Sequence, residues 1–252
     1  MTKPVPIKNL ILGEGMPKIC VPLTGTTEDA LVEETKAAVA AGADLVEWRA
    51  DFYEGLECPK KTEGVLSALS GILGQTPLLF TIRTREEGGS RQISLEDYAK
   101  SNLLAARSHK ADLIDVEAFG HREKKAELIA ALQAEGAKVI ASSHDFQKTD
   151  GQAALLARFE KMDKTGADIL KMAVMPLGFG DVAALMEATW RMQGITQKPL
   201  VSMAMGSIGA ITRIAGESFG SCITFGTVGA ASAPGQLPIK ELRMMLETLG
   251  RV

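Results

Sequence analysis

The sequence predicts an α/β protein of the (β/α)8 barrel class, also called a TIM barrel. Apolar β-rich runs alternate with amphipathic helical runs, and eight strand–helix units fit a chain of 252 residues. A glycine followed by alanine precedes three strands, at Gly42, Gly136 and Gly166, which is typical of a helix C-cap leading into a strand. A doubly wound open sheet is the alternative. It usually has a GxGxxG turn after the first strand, whereas residues 24–27 read Thr-Gly-Thr-Thr.

Each predicted strand is a short apolar run, and most are followed by a helical pattern. The strands are Lys18–Leu23, Asp44–Arg49, Pro77–Arg83, Asp112–Glu117, Ala137–Ser143, Asp168–Val174, Pro199–Met205 and Ser221–Gly226. The helices are Glu28–Ala41, Thr62–Leu73, Leu95–Arg107, Arg122–Ala134, Gln152–Lys164, Val182–Gln193 and Ile239–Leu249. An N-terminal β-hairpin is predicted over Ile7–Glu14, covering the bottom of the barrel. Residues 1–252 are expected to form a single barrel domain, because no linker divides them.

Composition excludes several classes of protein. The chain has 28 Lys+Arg and 31 Asp+Glu, which argues against nucleic acid as a partner, since such proteins need a basic excess. No apolar run approaches the ~20 residues of a membrane span, and the N-terminus lacks the apolar region of a signal peptide. The three cysteines form no CxxC pair. We therefore expect a cytoplasmic protein with reduced thiols.

A single lysine, Lys171, lies in the middle of the sixth predicted strand. Side chains alternate along a strand, so Ile169, Lys171 and Ala173 share one face. Desolvation among such neighbours lowers the pKa of a lysine and makes its amine a nucleophile for carbonyl carbon. The alternative is a structural lysine, paired with a carboxylate or reaching water from a strand end. This stretch alone does not decide between the two.

Ionisable groups follow the other strands at their carboxyl ends, where barrels of this class carry their chemistry. His144 ends the fifth strand and is the candidate proton carrier, because an unperturbed imidazole titrates near neutral pH. His109 follows a helix, and its charge would complement the dipole at the C-terminus of that helix. His121 leads into a charged, solvated loop. The remaining groups at these ends are Glu47, Arg49, Asp51, Arg83, Asp115, Glu117 and, beyond the seventh strand, Arg213.

The carboxylates among these groups permit a rival interpretation. Glu47, Asp51, Asp115, Glu117 and His144 could together hold a divalent cation at the mouth of the barrel. The cationic side chains at the same mouth oppose a bound metal ion, so a metal-dependent lyase is disfavoured. Arginines favour an anionic substrate instead, because a guanidinium matches a carboxylate or phosphate in two-point contact.

Six ordered motifs resemble type I 3-dehydroquinate dehydratases, over a region from about Gly13 to the C-terminus. They are Glu-Trp-Arg-x-Asp-Phe at 47–52, Phe-Thr-Ile-Arg followed by Glu-Gly-Gly at 80–89, Ser-His-Asp-Phe at 143–146, Lys-Met-Ala-Val-Met-Pro at 171–176, Ile-Thr-Arg-Ile-Ala-Gly-Glu at 211–217 and Ala-Ser-Ala-Pro-Gly-Gln at 231–236. The resemblance implies a homodimeric barrel that uses no metal or cofactor and converts 3-dehydroquinate to 3-dehydroshikimate through a Schiff base.

The resemblance also implies a role for each residue that matches a motif. Lys171 matches the Schiff-base lysine, His144 the proton-transfer histidine, and Glu87 the carboxylate that orients the histidine. Arg213 matches the residue that binds the substrate carboxylate. Ser232 and Gln236, on a mobile loop (Gly226–Gln236), match residues that help to bind the same carboxylate. Glu47, Arg49 and Arg83 match the residues that hold the ring hydroxyls. Phe146, Met203 and Met205 match the walls of the site.

Two other functions compete with this interpretation. A class I aldolase or transaldolase would use the same lysine on a sugar phosphate, bound at the glycine-rich segments 206–209 and 226–229. Arg213 discriminates, since a ring carboxylate would engage its guanidinium, whereas backbone amides would dominate at a phosphate. A non-catalytic carboxylate-binding barrel is the other candidate, but it has no use for a buried lysine near a histidine.

Overall fold

The structure, a computed structural model, describes residues 2–120, 122–229 and 232–250, without the side chains of residues 122 and 123. Two expectations, the solvated loop position of His121 and part of the loop Gly226–Gln236, lie outside the described residues. Eleven strands occur within this part of the chain: β1 (Val5–Ile7), β2 (Leu10–Leu12), β3 (Lys18–Leu23), β4 (Leu45–Arg49), β5 (Leu78–Thr81), β6 (Leu113–Glu117), β7 (Lys138–Asp145), β8 (Ile169–Val174), β9 (Leu200–Ala204), β10 (Ile223–Thr227) and β11 (Leu237–Pro238).

The helices between the strands are α1 (Glu28–Ala40), α2 (Pro59–Leu73), α3 (Leu95–Arg107), α4 (Arg122–Ala134), α5 (Gln152–Asp163), α6 (Phe179–Gln193), α7 (Ile211–Ile214), α8 (Gly216–Phe219) and α9 (Ile239–Leu249). None of the described helices is long and apolar enough to cross a membrane. Gly136 and Gly166 have φ of 88° and 87° just before β7 and β8, in the left-handed region that glycine favours. The predicted glycine caps are confirmed there.

Strands β3 to β10 form a parallel sheet that curls into a barrel. Consecutive strands pair in register, and β11 extends β10 through a two-residue parallel pairing. The last gap closes through a bridge between Leu200 at the start of β9 and Ser221 just before β10. The predicted (β/α)8 class is therefore confirmed. Strand boundaries agree with the prediction to within two residues, and the largest functional difference is that β7 continues to Asp145, so His144 lies inside the strand.

Side-chain alternation on β8 is confirmed. Leu170 and Met172 pack into the layer between the strands and the helices. Ile169 and Ala173 join the apolar cluster inside the barrel. Lys171 lies between Ile169 and Ala173 on the inward face, and it is only 4% exposed. The sequence period of two therefore aims this amine at the barrel axis.

The N-terminal hairpin closes the bottom of the barrel, as predicted, but it begins earlier. Strands β1 and β2 pair antiparallel from Val5 opposite Leu12 to Ile7 opposite Leu10. Its turn falls at Lys8 and Asn9, so the first strand ends at Ile7, and the predicted span Ile7–Glu14 is wrong at both ends. Its buried side chains pack on the innermost residues of the barrel strands, which are Cys20, Leu45, Leu79, Leu113, Ile140, Ile169, Val201 and Ile223. The apolar half of the barrel thus lies at this end, and the polar half lies at the other.

Candidate active site

A cavity opens at the carboxyl ends of the strands, with about 480 Å³ of space between the protein atoms, open solvent included. Its walls come from five barrel strands, β4, β7, β8, β9 and β10, and from the segments that follow β5, β7, β9 and β10. All predicted site residues except Glu87 line it, namely Lys171, His144, Glu47, Arg49, Arg83, Arg213, Ser232, Gln236, Phe146, Met203 and Met205. Glu87 lies behind His144. The structure therefore brings the predicted set together, while the roles assigned to its members remain predictions.

The amine of Lys171 is buried among charged neighbours. Its Nζ lies 3.4 Å from Oε1 of Glu47 and 3.6 Å from Oδ2 of Asp115. The ring of Phe225 faces it at 4.5 Å from the ring centre. Of the two interpretations left open for Lys171, the pairing with a carboxylate is therefore observed, because inward positions of β4 and β6 place two carboxylates beside the amine. The ion pairs do not separate this residue from the cavity, since Lys171 and Glu47 both line it.

A buried ion network lies on one side of the cavity, centred on Arg83. Its guanidinium donates to Oδ1 of Asp115 at 2.7 Å, to Oε1 of Glu117 at 3.1 Å and to Oγ of Ser142 at 3.0 Å. Asp51 is engaged separately by Arg49, in a bidentate contact of 2.8 and 2.9 Å. Most carboxylates of the rival metal hypothesis thus bind protein cations, and no group of three potential ligands among the described residues is placed to hold a metal ion.

His144 and Glu87 form a close pair at the edge of the cavity. A single oxygen of Glu87, Oε2, lies 2.9 Å from Nδ1 of His144 and accepts a 3.0 Å hydrogen bond from the His144 backbone N–H. The backbone contact holds the carboxylate in place and the Nδ1 contact orients the ring, which leaves Nε2 as the ring nitrogen available to other groups. This is the orienting arrangement that the resemblance implies for Glu87.

Burial perturbs both members of this pair. It lowers the pKa of His144 well below 6.5, and the positive charges of Arg83, Lys171 and Arg49 lower it further. Burial raises the pKa of Glu87, and the carboxylates of Glu117 and Asp115 add to this while Arg83 opposes it. Both shifts disfavour a separated imidazolium–carboxylate ion pair.

Arg213 supplies a buried cation at the other side of the cavity. α7, which follows β9, carries this residue; no helix is predicted there from the sequence. The guanidinium donates to the carbonyl of Pro234 at 3.0 Å and to that of Phe225 at 3.5 Å, while Nε has no hydrogen-bond partner in the described part of the chain. Among the residues that the structure describes, no carboxylate pairs with it, and burial lowers its pKa to about 10. An uncompensated buried cation favours an anionic ligand.

Two polar side chains of the segment after β10 bond to each other at the cavity wall. The backbone N–H of Ser232 donates to Oε1 of Gln236 at 2.8 Å, and Nε2 of Gln236 donates to Oγ of Ser232 at 3.0 Å. This contact spans five residues and lies next to Pro234, the partner of Arg213. Residues 230 and 231 of the same loop lie outside the described residues, so the expected mobility of the loop stays a prediction.

Two contributors to the site, Phe225 and Ser142, were not assigned to it from the sequence, and a third, Asp115, was assigned there only as a candidate metal ligand. Phe225 lines the cavity beside Lys171, and Ser142 with Asp115 joins the network of Arg83. Strand alternation could have found Phe225, because it lies two residues after the inward Ile223. The pairing of Asp115 with Arg83 had no such signal, since Asp115 is on β6 and Arg83 follows the adjacent β5, 32 positions earlier in the chain.

Comparison with known proteins shows close relatives of this chain. The family model for type I 3-dehydroquinase matches residues 19–252. The 3-dehydroquinate dehydratase of Listeria monocytogenes serotype 4a is 43% identical over 245 residues, covering 97% of each chain. That of Clostridium novyi is 43% identical over 251 residues, covering 99% of each.

Solved structures agree with this result. A type I 3-dehydroquinate dehydratase from Clostridium difficile, with covalently modified comenic acid, superposes with a TM-score of 0.96 at 40% identity, covering 100% of this chain and 99% of that one. The 3-dehydroquinate dehydratase of Geobacillus kaustophilus gives 0.95 at 35% identity, covering 99% and 97%. With the family model matching nearly the whole chain, this protein belongs to the type I 3-dehydroquinase family.

Proposed function

We propose that Lys171 forms an imine with the ketone of 3-dehydroquinate and that His144 then removes the neighbouring proton, so that the ring loses water and gives 3-dehydroshikimate. The chain is a type I 3-dehydroquinate dehydratase, a hydro-lyase. The observation that carries the residue roles is that Lys171 and His144 line one cavity together with Arg213, whose guanidinium pairs with no carboxylate among the described residues. An amine, a base and an anion site are what this reaction needs.

Imine formation conserves charge and protons at the nitrogen. The amine of Lys171 bonds to the ketone carbon, and the carbonyl oxygen leaves as water with two of the three ammonium protons. The nitrogen keeps one proton and its positive charge. The resulting iminium accepts the electron pair when the neighbouring C–H bond breaks, which is otherwise difficult because a free carbanion has nowhere to place its charge.

His144 supports the next two proton transfers. Its Nε2 takes the proton, and the electron pair of the C–H bond forms an enamine. The enamine then expels the ring hydroxyl, which His144, directly or through a water molecule, protonates on the same side of the ring. Glu87 holds the ring and stabilises the imidazolium that forms between the two steps. Hydrolysis of the imine by water releases the product and the amine.

The remaining side chains bind the substrate in this proposal. Arg213 binds the ring carboxylate, with Ser232 and Gln236 beside it, and Arg49, Glu47 and Arg83 bind hydroxyl groups. The printed description of the Clostridium difficile relative names a covalently modified ligand, which supports covalent chemistry in a homologous site. The loop after β10 closes over the substrate in this scheme and keeps water from the imine.

Trapping of the imine tests the proposal directly. Borohydride added with 3-dehydroquinate should reduce the iminium to a stable secondary amine, and mass spectrometry should find the adduct on the peptide that contains Lys171. A protein without an adduct, or with an adduct on a different lysine, would contradict the proposed role of Lys171. The comparisons do not favour the aldolase alternative, which predicts trapping with sugar phosphates.

Arg213→Lys should raise KM for 3-dehydroquinate by about 100-fold. An ammonium makes one point contact with a carboxylate, whereas the planar guanidinium makes two parallel hydrogen bonds to it. Steady-state kinetics measures the change. Arg243→Lys is the matched control, because Arg243 pairs with Asp44 on the outside of the barrel. Equal KM values for the two variants would place carboxylate recognition elsewhere.

We also propose that the protein is a homodimer. Large apolar side chains remain exposed near the start of α6 and in the neighbouring segment 208–211, which contacts α6. Leu177 is 76% exposed, Phe179 73% and Ile208 48%. Exposed apolar side chains that cluster in this way favour burial against a second copy.

Phe179→Glu should therefore shift the sedimentation coefficient from that of a dimer to that of a monomer, because a carboxylate would be buried in the interface. Met244→Glu changes an equally exposed apolar residue on α9, outside this patch, and should leave the dimer intact. A wild-type protein that sediments as a monomer would contradict the proposal.

A cytoplasmic location is proposed as well, on the grounds that Cys20, Cys58 and Cys222 are all unpaired thiols.

A further inference from the structure

The two oxygens of Asp115 have different surroundings. Oδ1 accepts hydrogen bonds from Arg83 at 2.7 Å and from Ser142 at 2.6 Å. Oδ2 is buried and has no hydrogen-bond partner among the described residues, yet it lies 3.6 Å from Nζ of Lys171. A buried carboxylate oxygen without a donor is costly unless a positive charge compensates it. The only such charge next to this oxygen, among the described residues, is that of Lys171.

Asp115 is held in its ionised form. Burial alone would raise the pKa of this carboxyl, but the positive charges of Arg83 and Lys171 outweigh burial, and the pKa is lowered. The hydrogen bonds from Ser142 and Arg83 to Oδ1 also fix the orientation of the carboxylate. Oδ2 is thereby a fixed negative charge aimed at the nitrogen that reacts.

We infer that Asp115 is the counterion of the iminium formed on Lys171, and that it keeps this nitrogen protonated while the substrate loses its proton. The inference rests on the proposed function. Replacing an ammonium by an iminium leaves one positive charge at the same nitrogen, so a carboxylate placed for the first is also placed for the second. A neutral imine would accept the electron pair poorly, because the pair would have to form an anionic nitrogen.

Glu47 is the other carboxylate near this nitrogen, but its surroundings differ. Its Oε1, at 3.4 Å from Lys171, also accepts a 2.9 Å hydrogen bond from Thr81, and Glu47 lines the substrate cavity. Asp115 does not line the cavity and is fully buried. The two carboxylates therefore have different roles. Glu47 faces the substrate cavity, and Asp115 is a positioning residue that contacts the nitrogen from outside the cavity.

Asp115→Asn tests this assignment through the pH dependence of kcat. Loss of the negative charge should let the iminium release its proton more easily, so the alkaline limb of log kcat should move down by about one pH unit or more. Glu117→Gln is the matched control. Glu117 binds Arg83 as Asp115 does, but it makes no ion pair with Lys171. Its variant should keep the wild-type limb, whatever happens to the absolute rate.

A second variant covers the case in which Asp115→Asn does not fold. Ser142→Ala leaves the carboxylate in place and removes one of the donors to Oδ1, which increases the negative charge available to Lys171. Its alkaline limb should stay at the wild-type pH or move up. A downward shift in Ser142→Ala, or equal limbs in Asp115→Asn and Glu117→Gln, would overturn the assignment.

Borohydride trapping separates failure of this inference from failure of the proposed function. If wild-type protein and the variants all trap the substrate on Lys171 but the limb of Asp115→Asn does not move, the imine mechanism stands and the counterion assignment is wrong. If wild-type protein traps nothing, the proposed function itself fails.

Discussion

Lys171→Ala should lower kcat for dehydration of 3-dehydroquinate by about 10⁴-fold or more and abolish the borohydride adduct. The side chain supplies the atom that bonds to the substrate, so its removal eliminates the covalent path instead of weakening one contact along it. The expected loss is larger than for any group that only transfers a proton. Stopped or continuous assays of product formation, with mass spectrometry after borohydride, measure both effects.

Lys125→Met provides the control for this experiment. Lys125 is the other buried lysine among the described residues, with its Nζ 3.9 Å from the centre of the Tyr98 ring, and it does not line the substrate cavity. This variant should still trap substrate on Lys171. Lys171→Ala protein that retains kcat within tenfold of wild type, while folded by circular dichroism, would refute the imine mechanism.

His144→Ala should lower kcat by roughly 10²–10⁴-fold, the usual value of an assisted proton transfer. In contrast to the lysine variant, it should still form the imine, because the amine and the arginine that binds the carboxylate remain in place. The covalent adduct should therefore accumulate, since the step that consumes it is slow. Single-turnover kinetics together with intact-protein mass spectrometry distinguishes this outcome from simple loss of binding.

His109→Asn is the matched histidine control. His109 is exposed and has a φ of 52°, a left-handed conformation that asparagine tolerates well. Its kcat should equal that of wild type within a factor of two. If His144→Ala lost imine formation and turnover to the same degree, His144 would act in substrate binding or in carbinolamine breakdown, and a different base would be needed.

Much of the candidate site was predictable from strand periodicity. Alternation on a buried strand assigns Lys171 to the inward face, and the rule that chemistry lies at the carboxyl ends of barrel strands selects His144 and the arginines. The ordered motifs then add Glu87, Ser232 and Gln236, whose positions in loops follow no period. Helix boundaries were accurate for α3, α4 and α9, where amphipathic runs end at clear breaks.

Contacts between distant segments were less predictable. The span of the N-terminal hairpin was misplaced, because three-residue strands carry too short an apolar pattern to define their ends. α7 was missed for a related reason, since a four-residue helix shows no amphipathic period. It nevertheless sets the position of Arg213, whose guanidinium is held by the carbonyls of Phe225 and Pro234.

The sequence by itself determined the barrel class, the inward direction of Lys171 and the set of ionisable groups at one end of the strands, because these depend on local periodicity and on the order of elements. Only the tertiary structure decided which charges meet. Lys171 lies beside Asp115 and Glu47, and Arg83 beside Asp115 and Glu117, through the pairing and stagger of strands far apart in the chain. Electrostatic interactions depend on distances of a few ångströms, and closure of the barrel sets those distances.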